Sequence, residues 1–253
     1  MSKFVDKLHN LPKTSTSSIG FHSSAGESKS SAMLLIAGLS GMDPEEAGII
    51  ANSTVDAGLI LNQKFDIKNV KQMVKVVGDT PLGIFLKDMS NDKVNELVDS
   101  GCDFVAFDMK TSAVALRGEE IGKFLMIEPS SDQGLVRAIN GLDIDGVFIN
   151  RGEEAFITVE HLLVCQRFSE LVDKPLAITL LSSVTSVELS NLWRAGIDAI
   201  IIPPAQPTEV LTRLKKMIGN LPKEAKRRRS KIDVMLPHYS SDISEEDEEG
   251  EEI

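Results

Sequence analysis

The sequence predicts an α/β fold in which eight strand–helix units close into a barrel of parallel strands. The first observation is a repeat, because DTPLGIFL from Asp79 is nearly matched by DKPLAITL from Asp173. Each copy runs through a helical pattern into a second similar string, SGCDFVAFD or AGIDAIIIP. The second observation is that short apolar runs alternate with helical patterns along the chain. A strand–helix–strand unit that recurs about half a chain apart predicts a closed barrel with a two-fold half-barrel repeat.

Eight short, nearly continuous apolar runs predict strands that are covered on both faces. They lie at 33–38, 58–61, 82–86, 104–108, 124–128, 146–150, 176–180 and 199–203. Helical patterns follow them at about 45–54, 67–77, 90–100, 111–121, 131–140, 158–172, 184–195 and 207–219. Eight such units with right-handed crossovers match the (β/α)8 TIM barrel. An open doubly wound sheet also alternates strands and helices, but it requires neither eight strands nor a two-fold repeat.

An aspartate closely precedes each even-numbered predicted strand, at positions Asp56, Asp103, Asp145 and Asp198. The start of a barrel strand lies at the bottom of the barrel, where side chains serve stability. We therefore expect these carboxylates to form hydrogen bonds in turns rather than to take part in chemistry.

The barrel is expected to occupy residues 33–221 as one domain. Residues 1–32, rich in Ser, Thr and Gly towards their end, are expected to form an N-terminal arm or loop. Residues 222–253 are basic and then acidic, and we expect a largely disordered charged C-terminal tail. Eight acids and no bases between Asp242 and Ile253 supply most of the net charge of −11. The rest of the chain is only mildly acidic, which does not favour a nucleic-acid partner.

Composition points to a cytoplasmic protein without a metal site. The two cysteines, Cys102 and Cys165, have neither metal-type nor redox-type spacing, which fits a reducing compartment. The N-terminal stretch is amphipathic rather than an apolar signal core, and no apolar run is long enough to span a membrane. The four histidines are widely separated, which argues against a metal or nucleophilic triad.

Four charged residues follow neighbouring strands and are the candidates for catalysis: Lys87, Asp108, Lys110 and Glu128. Ligands of barrels bind at the carboxyl ends of the strands, so these side chains are expected round one mouth. Two carboxylates and two ammonium groups there could perform acid–base catalysis. The structural alternative is that they form solvated ion pairs at the rim. Glu128 is the strongest candidate, because it directly ends the apolar run FLMI in a near-buried position.

Five further residues at strand ends are candidates for ligand binding: Asn62, Asn150, Arg151, Ser182 and Ser183. The two serines follow the seventh strand, where barrels often bind phosphate. The loops after the seventh and eighth strands contain no glycine, however, and three prolines remove amide donors from the eighth. Ser183 and Thr185 are therefore also candidates for helix caps.

With its eight units and the strings SGCDFVAFD and AGIDAIIIP, the chain resembles the phosphate-binding (β/α)8 barrels over roughly residues 33–219. This group includes histidine-biosynthesis isomerase-type barrels and flavin-dependent oxidoreductases such as nitronate monooxygenases. The resemblance implies a phosphorylated ligand or FMN. Isomerase-type barrels carry paired catalytic aspartates at the ends of the first and fifth strands, where this chain has Ala37-Gly38 and Glu128. The flavin enzymes carry glycine-rich phosphate loops and often a histidine near the mouth, and this sequence matches neither feature.

Two classes of function remain open, and whether the protein is an enzyme stays undecided at this point. The first is a barrel that binds a small anionic or phosphorylated metabolite, with Glu128 and Asp108 as the acid–base pair and Lys87 and Lys110 as charge stabilisers. The second is a non-catalytic barrel, a scaffold or regulator, that uses its charged tail to contact a protein partner. A homo-oligomer is compatible with either class.

Overall fold

A computed structural model describes residues 2–12, 31–41, 43–62, 66–87, 91–116, 120–152 and 156–222. The strands are β1 (Leu34–Leu39), β2 (Ala57–Ile60), β3 (Leu82–Leu86), β4 (Phe104–Asp108), β5 (Gly122–Ile127), β6 (Gly146–Ile149), β7 (Leu176–Thr179) and β8 (Ala199–Ile202). The helices are α1 (Lys3–His9), α2 (Glu46–Ala51), α3 (Ile67–Val77), α4 (Asn91–Asp99), α5 (Gln133–Ala138), α6 (Val159–Leu171), α7 (Ser186–Arg194) and α8 (Thr208–Gly219). All eight predicted strands are present.

The eight strands form one closed parallel barrel in sequence order. Each strand pairs with the next, and β8 pairs with β1 through Leu34 opposite Ala199. The predicted (β/α)8 TIM barrel is therefore confirmed, and the open sheet is excluded because it would leave two edges. None of the described helices is both long and apolar enough to cross a membrane.

The prediction of a helix at 111–121 is wrong. The described residues there contain only a 3₁₀ turn, Ala113–Leu116. The turn ends where the carbonyl of Leu116 accepts a hydrogen bond from Nζ of Lys123, at 3.0 Å. This buried lysine on β5 also pairs with Asp143, so a tertiary contact binds the carbonyl of the last residue of the turn.

Capping side chains define where several helices begin. Thr158 and His161 form a capping box at the start of α6, and Thr185 and Glu188 form one at the start of α7. In such a box the two residues each satisfy a free N–H group of the first helical turn. His161 is thus engaged in helix capping, and Thr185 has the capping role predicted for it.

Three of the four predicted aspartates at the bottom of the barrel bind the main chain of the preceding strand. The carboxylate of Asp56 accepts a hydrogen bond from the main-chain N–H of Leu35 at 2.8 Å. In the same way Asp145 accepts one from Lys123 at 2.8 Å, and Asp198 accepts one from Leu176 at 2.9 Å. The main-chain N–H of each aspartate also donates a hydrogen bond to the carbonyl oxygen of the residue that its side chain binds. The expected structural role is confirmed for these three, whereas Asp103 has a different partner.

Asp103 binds the N-terminal helix α1, which the sequence did not distinguish from a loop. Phe4, Val5 and Leu8 of α1 are buried at the bottom of the barrel. The ring of Phe4 stacks on Phe104 with centroids 4.6 Å apart. The other part of the expected arm, residues 13–30, and the expected tail, residues 223–253, lie outside the described residues.

Aromatic side chains fill the barrel interior. Phe104, Phe124 and Phe148 lie on neighbouring strands, and Phe124 stacks on Phe148 at 4.8 Å. Glycine makes room for these rings, since a Cβ atom on Gly83 would lie 2.2 Å from the ring of Phe104. The barrel interior is therefore packed at this level, and in this fold ligands bind above such a core, at the carboxyl ends of the strands.

Candidate functional site

Strand alternation identifies which residues face the mouth of the barrel. Successive side chains on a strand point to opposite faces, so the residue two positions after an inward-facing one also faces inward. The interior cluster includes Phe85, Ala106, Met126 and Phe148. Two positions later on the same chain segments are Lys87, Asp108, Glu128 and Asn150. Four of the predicted site residues therefore share one side of the mouth, from β3 to β6.

Glu128 and Asn150 form a direct contact at this mouth. Nδ2 of Asn150 donates a hydrogen bond to Oε1 of Glu128 at 3.2 Å. The strand register explains this contact. Met126 of β5 lies opposite Phe148 of β6, so Glu128 and Asn150, two residues further along each segment, also lie beside each other. The N–H of Gly152 approaches Oδ1 of Asn150 at 3.4 Å, which orients the amide. Glu128 is exposed, so its expected near-buried position is wrong; it lies one residue beyond β5, where the barrel opens to solvent.

Asp108 organises the loop that follows β4. Its Oδ1 accepts hydrogen bonds from the N–H of Lys110 at 2.9 Å and from the hydroxyl of Thr111 at 3.2 Å. The same hydroxyl lies 3.2 Å from the carbonyl oxygen of Lys87, which connects the loops after β3 and β4. Thr111 was not among the predicted residues, although an Asp-x-x-Thr sequence after a strand is a recognisable turn signal. One carboxylate oxygen of Asp108 is thus committed to the loop.

The two lysines remain exposed to solvent. Among the described side chains, neither Lys87 nor Lys110 forms an ion pair with Asp108 or Glu128. The rim ion pairs considered as the structural alternative are therefore not formed between these residues. Both ammonium groups are accessible to a ligand.

Arg151 supports a loop rather than the mouth. It is buried, and its Nη1 donates to the carbonyl of Phe156 at 2.8 Å. Its main-chain N–H donates to Oγ1 of Thr179 at 3.0 Å. The guanidinium also attracts Glu188, and burial alone would raise the pKa of that carboxyl. Hydrogen bonds from Ile157 and Thr185 outweigh burial and, with Arg151, hold the pKa of Glu188 below its usual 4.5.

The remaining predicted ligand-binding residues do not join the Glu128–Asn150 contact. Asn62 is half-buried after β2. Ser182 and Ser183 lie in the turn after β7, and the carbonyl of Ser182 accepts a hydrogen bond from Arg213 of α8. The start of α8 has Pro207 at the N-cap position, with no side-chain capping bond. The guanidinium of Arg213 is thus bound to a main-chain oxygen of this turn.

A small pocket also lies beside β1 and the segment after β8, where helices α2 and α8 contribute to its lining. Its lining includes Gly38, Pro203, Gln206 and Leu211, and its volume is about 20 Å³, enough for a water molecule or two. The nearby carboxylate of Glu46 accepts bonds from the N–H groups of Ser40 and Gly41. No three His, Cys, Asp or Glu side chains within the described ranges are grouped as metal ligands.

Comparison with known proteins supports the fold class. No protein-family model and no curated protein sequence matches this chain. Among solved structures, a mutant tryptophan synthase α-subunit from Pyrococcus furiosus aligns with a TM-score of 0.58 at 14% identity, covering 76% of this chain and 98% of that one. Tryptophan synthase from M. tuberculosis aligns at 0.56 and 11%, covering 74% and 91%. The homocysteine methyltransferase MmuM from Escherichia coli aligns at 0.55 and 11%, covering 74% and 96%. At these identities the similarity establishes a TIM barrel and nothing narrower.

Proposed function

We propose that this barrel binds a small anionic metabolite at the β3–β6 side of its mouth and transfers a proton through Glu128. The observation that carries this proposal is the hydrogen bond from Asn150 to Glu128 at the carboxyl ends of adjacent strands. A general base must be accessible and oriented. Glu128 meets both requirements, because it is exposed and its Oε1 is held by the amide.

The charges around Glu128 favour an anionic ligand. The ammonium groups of Lys87 and Lys110 are exposed at the β3 and β4 ends and bound to no carboxylate among the described residues. The apolar side chains of Met126 and Phe148 lie below Glu128 and Asn150 and supply a floor for the carbon skeleton. A ligand with a carboxylate or phosphate at one end fits this arrangement.

The chemistry that follows is proton transfer at the ligand's uncharged end. The carboxylate of Glu128 accepts a proton from a carbon or hydroxyl group of the ligand and returns a proton at another position of the same ligand, so the ligand is isomerised with no net gain or loss of protons. Lys87 and Lys110 offset the negative charge that develops. Asp108 completes the acid–base pair through its Oδ2, since its Oδ1 is engaged by the loop.

FMN is the narrower possibility implied by the resemblance to flavin-dependent barrels. The segments after β7 and β8 do not fit its phosphate. Pro207 offers no amide at the start of α8, and the guanidinium of Arg213 is bound to the carbonyl of Ser182. We therefore assign no step of the proposed reaction to a flavin, and we place the anionic group of the ligand near Lys87 instead.

The test begins with native mass spectrometry of the purified protein, incubated with a panel of small carboxylic acids and phosphate monoesters. We expect the wild-type protein and Glu128→Gln to retain a common ligand, and Lys87→Met to lose it. Turnover of that ligand, followed by exchange of its protons for deuterium, should be lost in Glu128→Gln.

Glu160→Gln, which changes an exposed glutamate on α6, is the matched control and should behave as wild type. Thermal unfolding of each variant separates loss of function from loss of structure. If no panel member binds, or if Lys87→Met and Glu128→Gln behave as Glu160→Gln does, the mouth is not the site and the scaffold function is favoured.

A further inference from the structure

Four large apolar side chains are exposed together at the upper end of α6 and α7. Phe156, Val159, Leu163 and Val187 are 67%, 73%, 63% and 68% exposed. We call these four residues the α6 patch. The N–H of Ile157 donates to Oε1 of Glu188 at 2.8 Å, which brings the segment before α6 beside the start of α7. Large apolar side chains exposed near one another are typical of a site of interaction.

The outward face of α6 has the apolar side chains Val159 and Leu163 near its start, where Glu160 is also exposed, and the acidic side chain Glu170 near its end. Val159 and Leu163 are four residues apart and so lie on one face, and Glu170 lies on the same face two turns further on. Glu170 is exposed and its Oε1 accepts a hydrogen bond from Gln166 at 3.3 Å. Because α6 runs from the mouth to the bottom of the barrel, Val159 and Leu163 lie at the top and Glu170 at the bottom.

The chain that follows α8 has the complementary order of charge and hydropathy. First comes a basic run, residues 226–229 (KRRR), and then an apolar run, residues 232–236 (IDVML). A segment that approached α6 from the bottom would therefore bring its basic run to Glu170 and its apolar run to the α6 patch.

The lengths are consistent with this path. All helices after the strands run in the same direction, so α8 and α6 end at the same level, with α7 between them. Packed helices lie roughly 8–10 Å apart, which makes two steps about 20 Å. Six extended residues after Pro222 cover about that distance and reach Arg228. Leu163 lies one heptad above Glu170, or about 10 Å along the helix. Three or four further extended residues span that rise and reach Ile232.

We propose that residues 232–236 of this same chain dock on the α6 patch, with the basic run 226–229 alongside Glu170. Docking removes the apolar patch from water, which is the driving force for the contact. It also delivers the residues after 236, with their eight acidic side chains, to the rim of the barrel beside the segment that follows β6. This contact is independent of the proton transfer proposed for Glu128.

Disulfide formation tests the contact in the full-length protein. Leu163→Cys is combined with Ile232→Cys, the residue that the path places level with Leu163, and oxidised under mild conditions. The native thiols do not interfere, since burial raises the pKa of Cys102 and of Cys165 to about 12. The control pair is Val76→Cys with Ile232→Cys. Val76 is an exposed valine on α3, which is two helices from α8 in the other direction, so an undocked tail reaches it as easily.

We expect an intramolecular disulfide between positions 163 and 232 to form at least about tenfold faster than one between 76 and 232. Equal rates for the two pairs would overturn the proposal, as would the absence of both. Disulfide-linked dimers through position 163 would instead assign the patch to a second copy of the chain. In addition, Leu163→Asp should speed tryptic cleavage at residues 227–229 several-fold, whereas Val76→Asp should not.

Discussion

The carboxylate of Asp103 accepts a hydrogen bond from the main-chain N–H of Phe4 at 2.9 Å, across 99 positions of the chain. It also accepts the N–H of Lys3 and the hydroxyl of Ser2, each at 2.7 Å. An anion at the first turn of a helix is favourable, because the N–H groups there have no partner within the helix. The aspartate before β4 therefore stabilises α1 on the barrel, while its three counterparts stabilise adjacent strands.

Replacement of Asp103 is expected to loosen α1 from the bottom of the barrel. Asp103→Asn keeps the size of the side chain but replaces one acceptor oxygen with an NH2 group, which can only donate. The substitution also removes the negative charge that strengthens these hydrogen bonds. We expect the free energy of unfolding to fall by about 1–3 kcal/mol, measured by urea denaturation.

Asp79→Asn provides the matched control. Asp79 pairs with Lys3 of the same helix at 3.0 Å, but both side chains are largely exposed. Exposed pairs contribute little, so this variant should unfold at the urea concentration of the wild type. An equal loss of stability in the two variants would show that the Asp103 contact has no special role.

Two glycines should respond in opposite ways to alanine. Gly83→Ala places a methyl group 2.2 Å from the ring of Phe104, and the overpacked interior should be less stable by about 1–3 kcal/mol. Gly48 lies within α2, and a Cβ there meets no atom within 4 Å. Gly48→Ala should stabilise the protein by about 0.5–1 kcal/mol, because alanine favours a helix. Thermal and urea unfolding measure both changes, and a stable Gly83→Ala protein would contradict the interior packing.

Acid should weaken the contact between the segments before α6 and α7. The pKa of Glu188 is below 4.5 in the folded protein, since hydrogen bonds from Ile157 and Thr185 outweigh its burial. The ionised carboxylate therefore contributes stability above pH 4.5, and this contribution is lost as the pH falls through the folded pKa. We expect the stability difference between wild type and Glu188→Gln to be greater at pH 7 than at pH 3. Ser186→Ala, at a neighbouring exposed residue without a titratable group, should show a difference that is independent of pH. A pH-independent difference for Glu188→Gln would contradict the assigned bonds.

The candidate site was only partly predictable from the sequence. Lys87, Asp108, Glu128 and Asn150 could be identified because strand ends and side-chain alternation are local properties. The hydrogen-bond partners of these residues could not be identified from the sequence, since the Asn150–Glu128 bond depends on the register of β5 against β6. Arg151 has the same sequence position relative to its strand as a ligand-binding residue would, yet it is buried against Phe156.

The amino-acid sequence by itself determined the eight parallel strands and their closure, because apolar runs, turn aspartates and the half-chain repeat are each encoded in short segments. Tertiary structure alone decided that Phe4 packs on Phe104, that Asp103 binds α1, and that Leu116 ends a turn on Lys123. These contacts join residues far apart in the chain. Their energy depends on which polar groups and apolar side chains still need a partner once the barrel has formed. Local patterns do not record that quantity, so the barrel could be predicted and its N-terminal helix could not.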